Sequence, residues 1–404
     1  MLKKVLIVLG GALGLLVVAV GGLFFKASSK LSSPAEAPTP PIKGATSPEA
    51  LARGEHIFKN VCYDCHVQDS SGHAAGGVMM DLPKPFGPVH AANLTSHPTA
   101  GIKALSDEQL ARAIRFGVRR DGKRLVVMPA FGMSDDDLSA VIGFMRTEDS
   151  LFTPDERVQP TPPETLSPLG KLALGMGMAP VPTWPASGIQ APPKAATVEY
   201  GAYLANEVYV CAECHTPGVD GAKARGPDAF KGGFKFVDTP EGGIYSTNIT
   251  FHETGLAGYT LEEFTRAMRD GISRDGYALR APMMRVRGLD EVDAEALYLF
   301  LQSLPKVESR LPEDAAPRVK AAPQQEPAHL FSSLGCQHCH GEGAKYRGLL
   351  KNARGKSAEE IARWIRNPES IIPGTQMPTY EQLLDETQAK SLAEWVQAQA
   401  VNIP

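Results

Sequence analysis

Cys62-Tyr63-Asp64-Cys65-His66, Cys211-Ala212-Glu213-Cys214-His215 and Cys336-Gln337-His338-Cys339-His340 decide the reading of this chain. They share the pattern C-x-x-C-H and use all 6 cysteines, so none is left for a structural disulfide. The spacing reads as a covalent attachment site for c-type haem, in which both thiols add to the vinyl groups and the histidine becomes the proximal iron ligand. A redox dithiol needs a βαβ setting, which these segments lack. A zinc ribbon would pair two C-x-x-C units across a short gap. Here the motifs lie far apart, each with its own histidine and its own downstream methionine. The expectation is three haems c, attached through Cys62 and Cys65, Cys211 and Cys214, and Cys336 and Cys339. His66, His215 and His340 would stand on the iron.

Outward from each motif the pattern is helical. A helix runs into the C-x-x-C-H, opened in the first case by Ser47-Pro48-Glu49, an N-cap, a proline at N1 and an acid near the positive helix end. After a loop comes a capping box: Ser106 with Gln109, Thr260 with Glu263, and Ser357 with Glu360. Apolar stripes follow each box, for example Leu110, Ile114 and Val118 in the first. A methionine then arrives in a short loop, and a last amphipathic helix closes the unit. No alternating strand of any length competes. The first two units look like a duplication. Arg112-Ala-Ile-Arg115-Phe-Gly117 matches Arg266-Ala-Met-Arg269-Asp-Gly271, Arg120-Asp121-Gly122 matches Arg274-Asp275-Gly276, and Asn93-Leu-Thr95 matches Asn248-Ile-Thr250. The third unit keeps only Arg363 and Arg366 of this set. The expected fold is all-α: three tandem class I-like cytochrome c domains behind an N-terminal membrane helix.

A methionine thioether in the sixth coordination position raises the potential of a histidine-ligated haem, as suits a carrier. Met128, Met284 and Met377 are the candidates. Met283 is an alternative to Met284, Met79, Met80 and Met133 are lesser competitors in the first unit, and His73 or His90 could replace a methionine there. The proximal histidines need a carbonyl for their other ring nitrogen, and the Gly87-Pro88 and Gly226-Pro227 loops are candidates to supply it. The repeated arginines could pair with haem propionates, with a solvated helix face as the plain alternative.

The chain of 404 residues allows two to four domains, and its net charge of -4 argues for no nucleic-acid partner. Lys3 and Lys4 precede an apolar run from Val5 to Phe25, close to the span of a bilayer. An uncleaved anchor is the favoured reading; a removed signal is the alternative. The haem motifs put the remaining chain in the periplasm or its equivalent. The expected boundaries are 1–26 anchor or signal, 27–46 flexible tether, 47–150 first domain, 151–196 Pro-rich linker, 197–305 second domain, 306–327 Pro-rich linker and 328–404 third domain. Part of the stretch from Pro154 to Pro193 could pack on a haem edge instead of running free.

With N-[LI]-T, R-A-[IM]-R-x-G, R-D-G and a downstream methionine in two copies, residues 47–305 resemble the three-haem cytochrome c subunits of bacterial membrane-bound alcohol, aldehyde and gluconate dehydrogenases. The third unit, with Pro373-Gly-Thr-Gln-Met377-Pro, resembles a single-haem cytochrome c module of respiratory oxidase systems. The resemblance implies an electron-transfer subunit that is not itself the enzyme. Its partners would be a dehydrogenase catalytic subunit, a quinol-oxidising complex or a terminal oxidase. A multihaem peroxidase or oxidase, with one open iron in the second unit where Arg285 stands in place of proline, is the competing reading. A haem-based sensor is a third, and no segment is left over as its output domain.

Overall fold

The computed structural model describes residues 2–68, 71–79, 87–125, 128–160, 165–178, 181–218, 226–239, 242–280, 282–283, 285–318, 326–372, 375, 377–381 and 383–403. Helix α1 (Leu2–Ser32) contains the one described helix long and apolar enough to cross a membrane, over Leu9–Ser32. The first haem-motif unit contains α2 (Pro48–Ile57), α3 (Tyr63–His66), α4 (Asp107–Phe116) and α5 (Asp135–Met145). A short helix α6 (Pro168–Ala173) leads to the second unit, with α7 (Val198–Tyr203), α8 (Cys211–Cys214), α9 (Leu261–Asp270) and α10 (Glu291–Ser303). The third has α11 (Pro327–Ser333), α12 (Cys336–His340), α13 (Ala358–Arg366) and α14 (Glu386–Ala400).

The capped helices form where the sequence places them. Ser106, Thr260 and Ser357 each close a reciprocal capping box on α4, α9 and α13. Gly117 and Gly271 end α4 and α9 in the left-handed region. Within each of the first two units the entry helix crosses the last helix at close range. A Cβ on Gly54 would lie 2.0 Å from the Ala140 carbonyl oxygen, and one on Gly201 1.9 Å from that of Ala296.

The described residues are helix-rich, as expected, with a small addition of strand. Among the described residues two antiparallel pairs are present: β1 (Gly77–Val78) with β2 (His90–Ala91), and β3 (Lys235–Thr239) with β4 (Gly242–Tyr245). They are too short, and too glycine-rich at β4, to give an alternating signal in the sequence. The segment expected as a flexible tether also lies on the first unit. Ala35 N–H donates to Gly122 O, Gly44 N–H to Asp107 Oδ2, and Ala45 N–H to Ser139 O. In the long Pro-rich stretch, α6 packs on α1, and Leu31 is buried with Val89 and Leu166. Trp184 packs beside Ala35, Phe116 and Val118.

Two cores organise the remainder. One joins residues of the first and second units, from Ile42 to Leu301, and includes a triangle of edge-on rings, Phe58, Phe144 and Phe152, with centroids 5.1–5.7 Å apart. The other is confined to residues 330–403, where Phe331 packs on Trp395.

Candidate haem attachment sites

Each C-x-x-C-H begins at a backbone irregularity. A π-helical turn, Phe58–Cys62, delivers the first motif, and a second, Leu204–Val208, precedes the second motif. Val210, just before Cys211, sits at φ 46°, a costly conformation for a β-branched residue. The third unit has Gly335 at φ 79° in that position, where no side chain opposes it.

The three histidines share one arrangement. His66 Nδ1–H donates to Ala92 O at 2.9 Å, His215 Nδ1–H to Thr247 O at 2.7 Å, and His340 Nδ1–H to Tyr346 O at 3.0 Å. Burial lowers the pKa of all three below the ordinary histidine value. A neutral ring whose Nδ1 is the donor leaves the Nε2 lone pair for a metal. Burial also pushes the Cys62, Cys211 and Cys336 thiols up to about 12, so as free groups they would be neutral. The residues present therefore fit a covalently bound haem, with thiols in thioether positions and a pre-oriented imidazole beside them.

In the first two units the carbonyls do not come from Gly87-Pro88 or Gly226-Pro227. They come from the residue just before each N-x-T. The Asn93 carbonyl oxygen Oδ1 accepts from Thr95 N–H and Oγ1–H, while its Nδ2 donates to Asp155 O and Arg157 O. Asn248 does the same with Thr250, and its Nδ2 donates to Val307 O. The asparagine pins the turn that presents the carbonyl. Gly87 instead packs on Thr165–Ser167. A further pair of anchors was not singled out in the sequence: Gly76 N–H donates to His66 O and Gly232 N–H to His215 O. Both glycines have positive φ, 67° and 73°, and a Cβ would strike the Ala91 and Thr247 carbonyls. The repeated pairs Gly76-Gly77 and Gly232-Gly233 were the available signal.

One arginine of each repeat holds a backbone carbonyl, while Arg120, Arg274 and Arg363 stay on an exposed face. Arg115 is fully buried; it donates to Met133 O and Ala186 O and pairs with Asp135 at 2.9 Å. Arg269 donates to Leu289 O, and Arg366 Nε–H to Leu384 O. Met133, Leu289 and Leu384 each directly precede the N-cap of the closing helix. One arginine thus ties the methionine loop to the last helix in all three units.

The methionine loops share a second bond. Phe131 N–H donates to Ile114 O, Val286 N–H to Met268 O, and Tyr380 N–H to Arg366 O. Met128 stands three residues before Phe131, Met377 three before Tyr380, and Met283 three before Val286. Met284 and Met80 lie outside the described residues. Met128 and Cys62 both pack against the first core, as Met377 and Cys336 do against the second. Met79 packs instead in a separate cluster with Leu31. Met133 is buried in the first core, and His73 lies 3.6 Å from Asp155. His90 forms part of β2.

The family described as "Cytochrome C oxidase, cbb3-type, subunit III" matches residues 49–145 and 322–396, which hold the first and third motifs. A nicotinate dehydrogenase subunit of Pseudomonas putida is 27% identical over 324 residues, 76% of this chain and 25% of that protein. The fructose dehydrogenase cytochrome subunit of Gluconobacter japonicus is 38% identical over 110 residues, 26% of this chain and 21% of that protein. The cytochrome c subunit of alcohol dehydrogenase (quinone) from Gluconobacter oxydans is 26% identical over 273 residues, 64% of this chain and 55% of that protein. The chain thus spans from about a fifth to about half of the length of these relatives. With C-x-x-C-H motifs on pre-oriented histidines, the chain is similar to the cytochrome c subunits of alcohol and fructose dehydrogenases, and the matched cytochrome family implies covalently bound haem c.

Proposed function

We propose that this chain is a membrane-tethered periplasmic cytochrome with three haems c, relaying electrons from a dehydrogenase catalytic subunit or quinol-oxidising complex to a respiratory acceptor. The observation that carries the reading is the histidine arrangement common to all three motifs, with Nδ1 committed to a carbonyl in each. Bound haem c would supply a one-electron iron couple at each motif. The chain's own groups would hold it: Cys62, Cys65 and His66; Cys211, Cys214 and His215; Cys336, Cys339 and His340. Met128 and Met377 are the sixth ligands in the first and third units. In the second unit the shared bond to the capped helix favours Met283, three residues before Val286, over Met284, which a glycine alignment to Gly288 suggests. The apolar helix α1 is the anchor in this reading, with the motif units outside the cytoplasmic membrane. The dehydrogenase partner follows the named relatives.

Haem content by pyridine haemochrome, followed by reductive titration and CO addition, tests this. Three low-spin haems, none taking CO, are expected. Two haems, or one that binds CO in the native protein, would overturn the saturated three-haem carrier. Met283→Ala should then open one iron to CO while Met284→Ala does not; the reverse result restores the glycine alignment.

A further inference from the structure

Arg285 reaches out of the second unit into the third. Its Nη2 donates to Met377 O at 2.7 Å and to Thr375 O at 3.2 Å. Met377 N–H in turn donates to Thr375 Oγ1 at 3.3 Å, so the backbone is held on both sides of the Met377 Cα. Pro378 follows and offers no N–H of its own. The stem of Arg285 crosses Gly271, where a Cβ would lie 2.8 Å from Arg285 Cδ; the glycine that ends α9 leaves the path open. Glu369, Tyr380, Asp270 and Asp64 act electrostatically on this guanidinium, which in turn acts on Arg287. The first unit has no such arm, because Ala130 stands two residues after Met128 as Arg285 stands two after Met283. Arg285, which follows Met284 where the first unit has Pro129 after Met128, therefore has a use that requires no open iron.

We propose that Arg285 is a positioning residue for Met377: a guanidinium from the second unit fixes the peptide that aims the third unit's thioether, and so links the methionine loops of two haem sites. This rests on reading Met377 as a ligand. A methionine in a loop has three side-chain torsions to order, and a fixed carbonyl removes the backbone part of that freedom. The positive charge beside the site also disfavours the ferric state.

The test uses the full-length haem-loaded protein in detergent, with Arg285→Gln, Arg285→Lys, Met377→Ala and the exposed control Arg310→Gln. Arg285→Gln should lower one midpoint potential and leave two unchanged. It should also remove up to a third of the far-red methionine–ferric charge-transfer band and admit CO to up to a third of the haem. Arg285→Lys keeps the charge but not the forked reach, so it should keep most of the potential and still lose band intensity. An intact band in Arg285→Lys would reduce the role to charge and overturn positioning; it also decides the matter if Arg285→Gln yields no holoprotein. Unchanged spectra and potentials in Arg285→Gln, with Met377→Ala opening one haem to CO, would overturn the proposal while leaving Met377 a ligand. No effect of Met377→Ala would instead remove the ligand reading and the proposal with it.

Discussion

The first and second units share one core, whereas the third has its own, touches the second through Ala278 and otherwise meets them through polar groups. Between the first two, Tyr203 O–H donates to Asp137 Oδ2 at 2.7 Å and accepts from Ser134 N–H at 2.9 Å, both buried at the start of α5. Asn60 exchanges two bonds with the backbone of Arg287. Toward the third unit the contacts are Lys345 on Asp64 O and over the rings of Tyr63 and Tyr346, together with Arg285 on the Met377 loop. The duplicated pair has fused into one packed body, and the third keeps a polar boundary of the kind that separates domains. Apolar fusion fixes geometry by packing, whereas the polar junction fixes it at a few named hydrogen bonds.

The largest effect should separate two residues that the duplication made equivalent. Arg115 lies fully buried in the fused body with two carbonyls and Asp135, whereas Arg269 is exposed and bonds Leu289 O. Arg115→Leu should cost about 3 kcal/mol, because it strips partners from a buried network. Arg269→Leu should cost about 1 kcal/mol, a single hydrogen bond's worth. Denaturant midpoints followed by haem absorbance and far-UV circular dichroism compare the two. Equal losses would mean the fused core has not made the first arginine special.

The asparagines should behave oppositely, as true equivalents. Asn93→Ala and Asn248→Ala each remove a buried turn anchor and should cost about 1–3 kcal/mol. The losses should match, because each side chain accepts from the threonine two residues on and donates to a distant carbonyl. A loss in one unit only would break the claim that both histidine carbonyls are presented by the same device.

These two pairs also show what the sequence made legible. The motifs, capping boxes and methionine loops were readable because each depends on local spacing. The Asn-x-Thr and arginine repeats were visible as repeats, but their function was not. Arg115 is charged, and nothing local says that its partners are backbone carbonyls 18 and 71 residues away. Gly76 and Gly232 were hidden for the same reason, since the carbonyls they must clear belong to residues brought near by folding. The β3–β4 pair escaped because short strands carry too few alternations to register. Arg285 read as a departure from Met-Pro, and only the tertiary contact gives it a purpose.

A smaller effect tests the polar junction. Lys345→Ala removes the bond to Asp64 O and the contact with two rings, and should cost about 0.5–1 kcal/mol. The loss should fall on the attachment of the third unit and leave both cores intact. Hydrogen exchange read out by mass spectrometry distinguishes these: faster exchange confined to the Tyr63 and Tyr346 segments is expected. Faster exchange throughout residues 330–403 would show that the third core depends on the junction for its own stability.

The smallest effect concerns the fused interface and pH. His56 Nε2 lies 3.0 Å from Tyr209 O–H, and its pKa is lowered, first by burial and then by Arg53, with Lys194 adding to this and Asp293 and Asp290 opposing it. The folded state thus favours the neutral ring relative to the unfolded chain, whose histidine titrates near 6.5. Its contribution is present above that value and is lost as pH falls through the lower folded one. Thermal midpoints of the wild-type protein should therefore fall between pH 7 and pH 5 by more than those of His56→Gln, which keeps a hydrogen-bonding group but cannot gain the proton. The third unit lies across a junction that contains no such histidine among its named contacts, so the difference should appear in the transition of the fused pair. Identical pH dependence in both proteins would mean that the His56–Tyr209 contact adjusts to a charged ring, and that the fused interface is held by its apolar packing, the Tyr203 network and the Asn60–Arg287 bonds.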